Sequence, residues 1–205
     1  MKKNKQISTL FLDIGGVLLT NGWDMNMRKR AAEKFHLDFE ELEERHQMVF
    51  DPYEQGRLSI DEYLKLVVFH KKRVFDFNDF KNFLFAQTRP LPDMIKMFKS
   101  ISENNSLKIG AISNEGRELT IYRVNHFRLK EIVQFFICSC FVHFRKPDKD
   151  IFRMALDVAQ AIPEQSLYVD DTKLHIEVAR SLGMNTIHHV DINVTRQELS
   201  DYGLV

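Results

Sequence analysis

The hydrophobic pattern of this chain begins with a short stretch that resembles a buried strand. Residues 7–12 form a mainly apolar run without helix-capping residues, and Asp13 ends it. Gly15 and Gly16 follow, and residues 17–19 are apolar again. Because paired glycines mark a turn, the pattern predicts that Asp13 lies at the carboxyl end of a strand. An ordinary turn with a solvated aspartate fits the same residues.

Between residues 21 and 87 the pattern changes to the period of helices. Four amphipathic helices are predicted there, which favours a small helical bundle. Their N-caps are Asp24, Asp38, Ser59 and either Asp76 or Asn78. Ser59 and Glu62 form a capping-box pattern. We expect the phenylalanines of residues 75–85 to form packing contacts rather than a ligand site. Trp23 fits either packing at a hinge or a wall of a substrate site.

After residue 88 apolar strands alternate with helices. Strands are predicted at 107–113, 135–139, 166–169 and 185–189, and helices at 94–101, 115–127, 151–159 and 173–182. This alternation predicts an α/β fold with a parallel sheet covered by helices on both faces. The predicted core therefore comprises residues 1–20 and 88–205, and residues 21–87 are an inserted helical domain.

Composition narrows the range of functions. The chain has 205 residues, 44% of them hydrophobic, with 29 basic and 29 acidic side chains and a formal net charge of zero. A balanced charge argues against nucleic-acid binding, and no apolar run is long enough for a membrane span. The start, Met1 to Lys5, is basic like the front of a signal peptide, but Asp13 interrupts the apolar run. We therefore expect a cytoplasmic protein.

The only cysteines are Cys138 and Cys140. If both lay on a strand, they would face the same side, and no second pair completes a metal site. Buried free thiols in a reducing compartment are the favoured interpretation. The histidines show no ligand spacing with cysteine, so we expect no structural zinc.

Polar residues occur at or just beyond the carboxyl ends of the predicted strands. They are Asp13, Ser113, Asn114, Lys146, Asp170 and Asp171. Parallel strands bring their carboxyl ends to one edge of the sheet, so these residues are expected to converge. Carboxylates suit a magnesium ion, whereas a lysine, a hydroxyl and helix N-termini suit a phosphate group. The pattern predicts a site for both.

These motifs together resemble the haloacid dehalogenase (HAD) superfamily. Its signatures match Asp13–Val17, Ser113–Asn114, Lys146–Asp148 and Asp170–Asp171. The helix at Val178–Met184 also fits the family pattern. The resemblance implies a Rossmann-like core and a cap formed by the inserted helices.

The resemblance also implies roles for individual residues. Asp13 would be the nucleophile that forms an aspartyl-phosphate, and Ser113 and Lys146 would be catalytic groups that hold phosphoryl oxygens. Phosphate binding would also involve Asn114, Gly15 and Gly16. The Mg²⁺ ligands would be Asp13, the Gly15 carbonyl, Asp170 and Asp171.

Gly15 stands where most of the family has a second aspartate, the general acid and base. Loss of such a group typically lowers the rate about 10²–10⁴-fold. Three interpretations follow: a phosphatase for easily displaced leaving groups, another proton donor, or a binding protein with little turnover. His143, His175, Glu115 and residues of the inserted helices are candidate donors. For His175, a structural contact beside the acidic pair is the favoured role.

The expected function is that of a magnesium-dependent HAD phosphatase. Its substrate would be a small phosphorylated metabolite, and the motif resembles a subgroup that includes bacterial sugar-1-phosphate phosphatases. The alternatives are a dehalogenase, a phosphonate hydrolase or a low-turnover binding relic. We expect no nucleic-acid or membrane partner, and either a monomer or a homodimer.

Overall fold

A parallel five-stranded sheet in the order β3-β2-β1-β4-β5 forms the centre of the computed structural model, which describes residues 6–205. The strands are β1 Thr9–Leu12, β2 Lys108–Ser113, β3 Phe135–Cys138, β4 Ser166–Asp170 and β5 Asn185–His188. Leu12 pairs with Ala111 of β2 and with Val169 of β4. The carboxyl ends of these three strands therefore lie side by side. The basic start that resembles a signal peptide lies outside the described residues.

Helices cover both faces of this sheet. They are α5 Pro92–Asn104, α6 Arg117–His126, α7 Ser139–Val142, α8 Lys149–Ala159, α9 Lys173–Ser181 and α10 Ile192–Asp201. Side chains alternate along β1: Leu10 and Leu12 join one hydrophobic core, whereas Phe11 joins another. Both faces are thus buried, and the predicted Rossmann-like α/β fold is confirmed. Within residues 6–205, no helix is long and apolar enough to cross a bilayer.

Four helices lie between β1 and α5, as the sequence predicts. They are α1 Met25–Phe35, α2 Phe39–Glu54, α3 Ile60–Val67 and α4 Phe77–Ala86, and we call them the helical block. The N-caps of the first three are Asp24, Asp38 and Ser59, and the last is Asp76 rather than Asn78. Phe80 is fully buried in a core that belongs mainly to this block, and the neighbouring phenylalanines pack against it.

The two cysteines do not lie on one strand, which was one arrangement that the sequence allowed. Cys138 ends β3, but Cys140 lies on the short helix α7 rather than on a strand. Both thiols are free and buried, as expected. Helix α10, which packs against β5, was not predicted, because its few apolar side chains are separated by polar ones.

A buried ion pair ties the sheet to the chain that leads into the helical block. Arg123 of α6 is 1% exposed and pairs with the buried Glu115. Its other terminal nitrogen donates to the Thr20 carbonyl at 2.6 Å. The amide of Thr20 in turn donates to the Arg89 carbonyl at 2.8 Å. One guanidinium therefore anchors the two chain segments that connect block and sheet.

We expect Arg123→Met to lower the free energy of unfolding by about 3–5 kcal/mol, because Glu115 would remain buried without its partner. Burial already raises the pKa of Glu115 despite the guanidinium. The matched control is Arg128→Met, which breaks a solvent-exposed pair with Glu131 and is expected to cost less than about 1 kcal/mol. Urea unfolding of both variants measures the difference, and equal effects would contradict the anchoring role of Arg123.

Candidate active site

Asp13 is held rigidly at the end of β1. Its amide donates to the Val169 carbonyl at 2.9 Å, which extends the pairing with β4 by one residue. One carboxylate oxygen accepts from the Ile14 amide at 2.7 Å. The backbone then turns sharply through Gly16, whose φ is +73°. A Cβ atom at Gly16 would lie 2.1 Å from a carboxylate oxygen of Asp171, so only glycine fits there.

Lys146 bridges two carboxylates in the interior. Its Nζ lies 2.7 Å from Oδ2 of Asp13 and 2.8 Å from Oδ2 of Asp170, and the lysine is 1% exposed. Asn114 fixes the backbone of this lysine with two hydrogen bonds of 2.8 Å, one to its amide and one to its carbonyl. Both polar atoms of the Asn114 side chain are therefore engaged in holding the lysine backbone.

The two adjacent acids differ in how many of their lone pairs are used. Beyond the lysine, Asp170 accepts from the Tyr168 hydroxyl and from the Thr172 amide at 2.7 Å, and it contacts Nδ1 of His175 at 3.1 Å. Asp171 makes one weak contact, from the Thr172 hydroxyl at 3.4 Å. Asp170 thus organises the site, whereas Asp171 keeps free oxygens.

The electrostatics of the site favour a bound cation. Burial raises the pKa of Asp13 to about 7, and the negative Asp170 and Asp171 add to this effect against the opposing charge of Lys146. Burial also acts to raise the pKa of Asp170, but Lys146 and His175 hold it well below its usual range. Three carboxylates thus share one lysine, which leaves an excess of negative charge. Donor atoms of Asp13, Asp170 and His175 lie within 4.8 Å of one another, so the residues fit a divalent ion.

These groups open into a cavity of about 310 Å³ between the sheet and the helical block. The sheet side contributes Asp13, Gly15, Ser113, Asn114, Lys146, Asp171, Thr172 and His175. The block and the chain leading into it contribute Asn21, Gly22, Trp23, Asp24, Met25, Arg28, His46, Phe50 and Glu54. The volume suits a small molecule rather than a polymer.

The predicted site residues meet at this cavity, apart from two that lie behind its surface. Asp170 is fully buried behind the lysine, and Gly16 lies directly against the Asp171 carboxylate. Of the three candidate proton donors named from the sequence, one lines the cavity and two do not. His175 lines the cavity, whereas His143 contacts the Gln55 carbonyl at 2.7 Å and Glu115 is paired with Arg123.

Some residues of the site were not singled out from the sequence. Tyr168 precedes Asp170 by two residues on β4, so both face the same side of the strand, and this spacing is a usable signal. Asn21, Arg28 and His46 give no such signal, because they reach the cavity only through the packing of the helical block.

Trp23 packs in the core of the helical block and also lines the cavity. Its indole nitrogen donates to the Tyr63 hydroxyl at 2.7 Å, and that hydroxyl lies 2.8 Å from Nδ1 of His46. Burial, together with the charge of Arg28, lowers the pKa of His46 to about 4. At neutral pH the imidazole is therefore uncharged.

The lowered pKa of His46 predicts a pH-dependent stability. Between pH 6.5 and pH 4 the unfolded chain binds a proton at this residue and the folded chain does not, so stability falls as the pH falls. Between pH 7 and pH 5 we expect the free energy of unfolding of wild type to fall by up to about 2 kcal/mol more than that of His46→Gln, because the variant lacks the imidazole. Urea unfolding at both pH values measures the difference, and parallel stability curves would contradict the expectation.

Comparison with known proteins identifies the family. A sequence profile of the Haloacid dehalogenase-like hydrolase family matches residues 20–189. This chain is a HAD-like hydrolase. The resemblance found in the motifs is thereby confirmed, and the protein belongs to a family of enzymes.

Curated relatives of this HAD-like hydrolase include a phosphatase of similar length and two longer proteins. The Phosphorylated carbohydrates phosphatase of Thermotoga maritima is 21% identical over 90% of this chain and 85% of its own length. The Bifunctional epoxide hydrolase 2 of Sus scrofa is 37% identical over 71 residues, which are 35% of this chain and 13% of that protein. Drimenol cyclase drtB of Aspergillus calidoustus is 26% identical over 96% of this chain and 37% of its own length. The chain therefore spans a minor part of the latter two proteins.

Solved structures with the same fold include HAD enzymes. A HAD family enzyme of Bacteroides thetaiotaomicron, determined as a magnesium complex, gives a TM-score of 0.78 at 18% identity, covering 90% of this chain and 94% of that one. An L-2-haloacid dehalogenase gives a TM-score of 0.63 at 16% identity, covering 88% and 83%. At these identities the likeness establishes the fold alone.

Proposed function

We propose that this HAD-like hydrolase is a magnesium-dependent phosphomonoesterase that acts through an aspartyl-phosphate on Asp13. The observation that carries the proposal is the paired arrangement of Lys146 with Asp13 and Asp170 beside the free oxygens of Asp171. A site for halide displacement at carbon has no need of this excess of carboxylates, whereas a cation and a phosphate group do.

In the proposed reaction a carboxylate oxygen of Asp13 attacks phosphorus, and the bond from phosphorus to the leaving-group oxygen breaks. Water then attacks the phosphorus of the acyl phosphate, which releases inorganic phosphate and restores the carboxylate. The hydrogen bond from the Ile14 amide to one carboxylate oxygen of Asp13 fixes the orientation of the carboxylate. Such orientation is needed for in-line attack.

Asp13, Asp171, the Gly15 carbonyl and Asp170 would hold Mg²⁺, which when bound neutralises charge between the carboxylate and the phosphate. Asp171 is the better available ligand of the acidic pair, because the oxygens of Asp170 already accept several hydrogen bonds. Lys146 and the buried Ser113 would hold the phosphoryl oxygens, and the Asn114 side chain would position the lysine.

The space beside Gly15 bears on the missing general acid. A Cβ atom at Gly15 would lie 2.9 Å from the side-chain oxygen of Asn21, so Asn21 fills the room next to this residue. An amide does not transfer protons near neutral pH. We therefore propose a phosphatase that favours leaving groups needing little protonation, or that uses water or His175 as the proton source.

The helical block would act as a cap that closes over the substrate and excludes water. It forms the cavity wall that faces the strand ends, and the strand ends carry the proposed catalytic groups. Together with the Thermotoga relative, whose name specifies phosphorylated carbohydrates, this small cavity supports a sugar phosphate as substrate. Such an enzyme would work as a monomer or homodimer in the cytoplasm.

The proposal is tested by phosphate release from p-nitrophenyl phosphate and from a panel of phosphorylated metabolites. We expect hydrolysis with Mg²⁺, its loss in EDTA and its recovery when Mg²⁺ is restored. Thermal unfolding gives a second measurement, since Mg²⁺ that binds the folded state raises the melting temperature. Halide release from 2-haloacids without a metal would instead identify a dehalogenase.

A further inference from the structure

The helical block contains a chain of hydrogen bonds that ends at the cavity. It runs from Nε1 of Trp23 to the Tyr63 hydroxyl and on to Nδ1 of His46. All three residues are buried, and Tyr63 is completely inaccessible. The Phe50 ring packs against the imidazole at a tilt of 31°, with ring centroids 5.1 Å apart. The position of the imidazole is therefore fixed by packing on one side and by the tyrosine on the other.

The chemistry of these groups determines the tautomer of His46. The indole of Trp23 can only donate, so the Tyr63 oxygen accepts from it. The single proton of that buried hydroxyl needs an acceptor, and Nδ1 of His46 is the acceptor within reach. Nδ1 is then unprotonated, and a neutral imidazole carries its proton on Nε2. The lowered pKa of His46 agrees with the neutral form.

Nε2 of His46 is free to bind a ligand. Within residues 6–205 it makes no hydrogen bond, and it is not among the fully enclosed polar atoms that lack a partner. His46 also lines the cavity that contains Asp13. Among the described residues, His46 thus combines an unpaired, accessible N–H donor with a place in the wall of the cavity that a substrate would occupy.

We propose that His46 is a specificity-determining residue whose Nε2–H donates a hydrogen bond to an uncharged, hydroxyl-bearing leaving group of the substrate. This inference rests on the proposed phosphatase function. It adds a residue and a chemical class of leaving group to that function.

The charges around the cavity favour an uncharged leaving group. Arg28 is paired through two nitrogens with Glu43 and through a third with the Trp23 carbonyl. Lys146 is shared between two carboxylates. Among the described residues lining the cavity, each arginine and lysine is therefore already neutralised. A second phosphate or a carboxylate on the substrate would meet no available arginine or lysine, whereas hydroxyl groups can bind to His46.

The experiment compares two kinds of substrate in the magnesium-loaded enzyme. Phenyl phosphate has no acceptor in its leaving group beyond the ester oxygen. The hydroxyl-bearing probes are glucose 1-phosphate, glucose 6-phosphate, fructose 1-phosphate, ribose 5-phosphate and glycerol 3-phosphate. For the best of these probes, we expect His46→Phe to raise KM about tenfold, while kcat/KM for phenyl phosphate changes less than about twofold.

Two further variants separate hydrogen bonding from packing. His46→Gln can place an N–H near the position of Nε2, so we expect it to restore most of the lost selectivity. Tyr63→Phe removes the group that fixes the tautomer, and ¹⁵N NMR of the imidazole should then show a smaller Nε2–H population than in wild type. Thermal unfolding checks that each variant is folded.

The outcomes distinguish this inference from the proposed function. Absence of phosphate release from all probes by wild type would overturn the phosphatase proposal and the role of His46 with it. Normal hydrolysis combined with equal losses on phenyl phosphate and the hydroxyl-bearing probes in His46→Phe would overturn the role of His46 alone. An Nδ1–H tautomer in wild type would also overturn the role of His46 alone. Better hydrolysis of fructose 1,6-bisphosphate than of all monophosphates would overturn it as well.

Discussion

Replacing Asp13 with asparagine is expected to lower kcat by at least about four orders of magnitude, which corresponds to about 5.5 kcal/mol of activation free energy. The change removes the nucleophilic oxygen and leaves the shape of the side chain almost unaltered. Its carbonyl oxygen can still accept from Ile14 or Lys146, so we expect the variant to fold. Phosphate release under saturating substrate and Mg²⁺ measures the effect.

The matched control is Asp38→Asn, the same substitution at an exposed N-cap on the helical block. Asparagine caps helices as well as aspartate does, so activity and stability should stay close to wild type. Residual turnover of Asp13→Asn above about 1% of wild type would contradict a covalent mechanism. Beryllofluoride with Mg²⁺ should stabilise wild type and not Asp13→Asn, which is the result that separates an enzyme from a binding relic.

The fold was predictable because the chain's local patterns agree with its tertiary structure. The apolar runs of the sheet are short and alternate with helices, and the helices of the helical block begin at capping residues, such as Ser59 with its capping box. Parallel pairing then brings Asp13 and Asp170 to one edge of the sheet without further information. Cys140 shows the limit of this reasoning, since a single turn of helix after β3 leaves almost no periodic signal.

The strand-end residues of the candidate site were predictable from the sequence, but their contacts and the residues that the helical block contributes were not. Sequence places Asp170 and Asp171 side by side at a strand end, yet neighbouring side chains on a strand point in opposite directions. Which of them meets Lys146 depends on a loop more than twenty residues away. The sequence alone places His46 on the apolar face of α2. Its partners Trp23 and Tyr63 belong to distant segments, so the pattern gives no sign of their hydrogen bonds.

Replacing Lys146 with methionine is expected to lower both activity and stability. In the proposed reaction the lysine binds phosphoryl oxygens, and removal of such a group typically lowers kcat about 10²–10³-fold. Without a divalent cation, the free energy of unfolding at pH 8 should fall by about 3–5 kcal/mol, since two buried carboxylates lose their shared counter-ion. Phosphate release and urea unfolding in EDTA measure the two effects.

The control Lys149→Met lies three residues away at an exposed position and should change neither quantity appreciably. Removal of Lys146 also raises the pKa of Asp13 further, because the lysine is the group that opposes the effects of burial and of the neighbouring acids. A carboxyl group with a raised pKa contributes stability at low pH that is lost as the pH rises. The deficit of Lys146→Met should therefore shrink towards pH 4, and a deficit independent of pH would show that lost packing, not charge, is its cause.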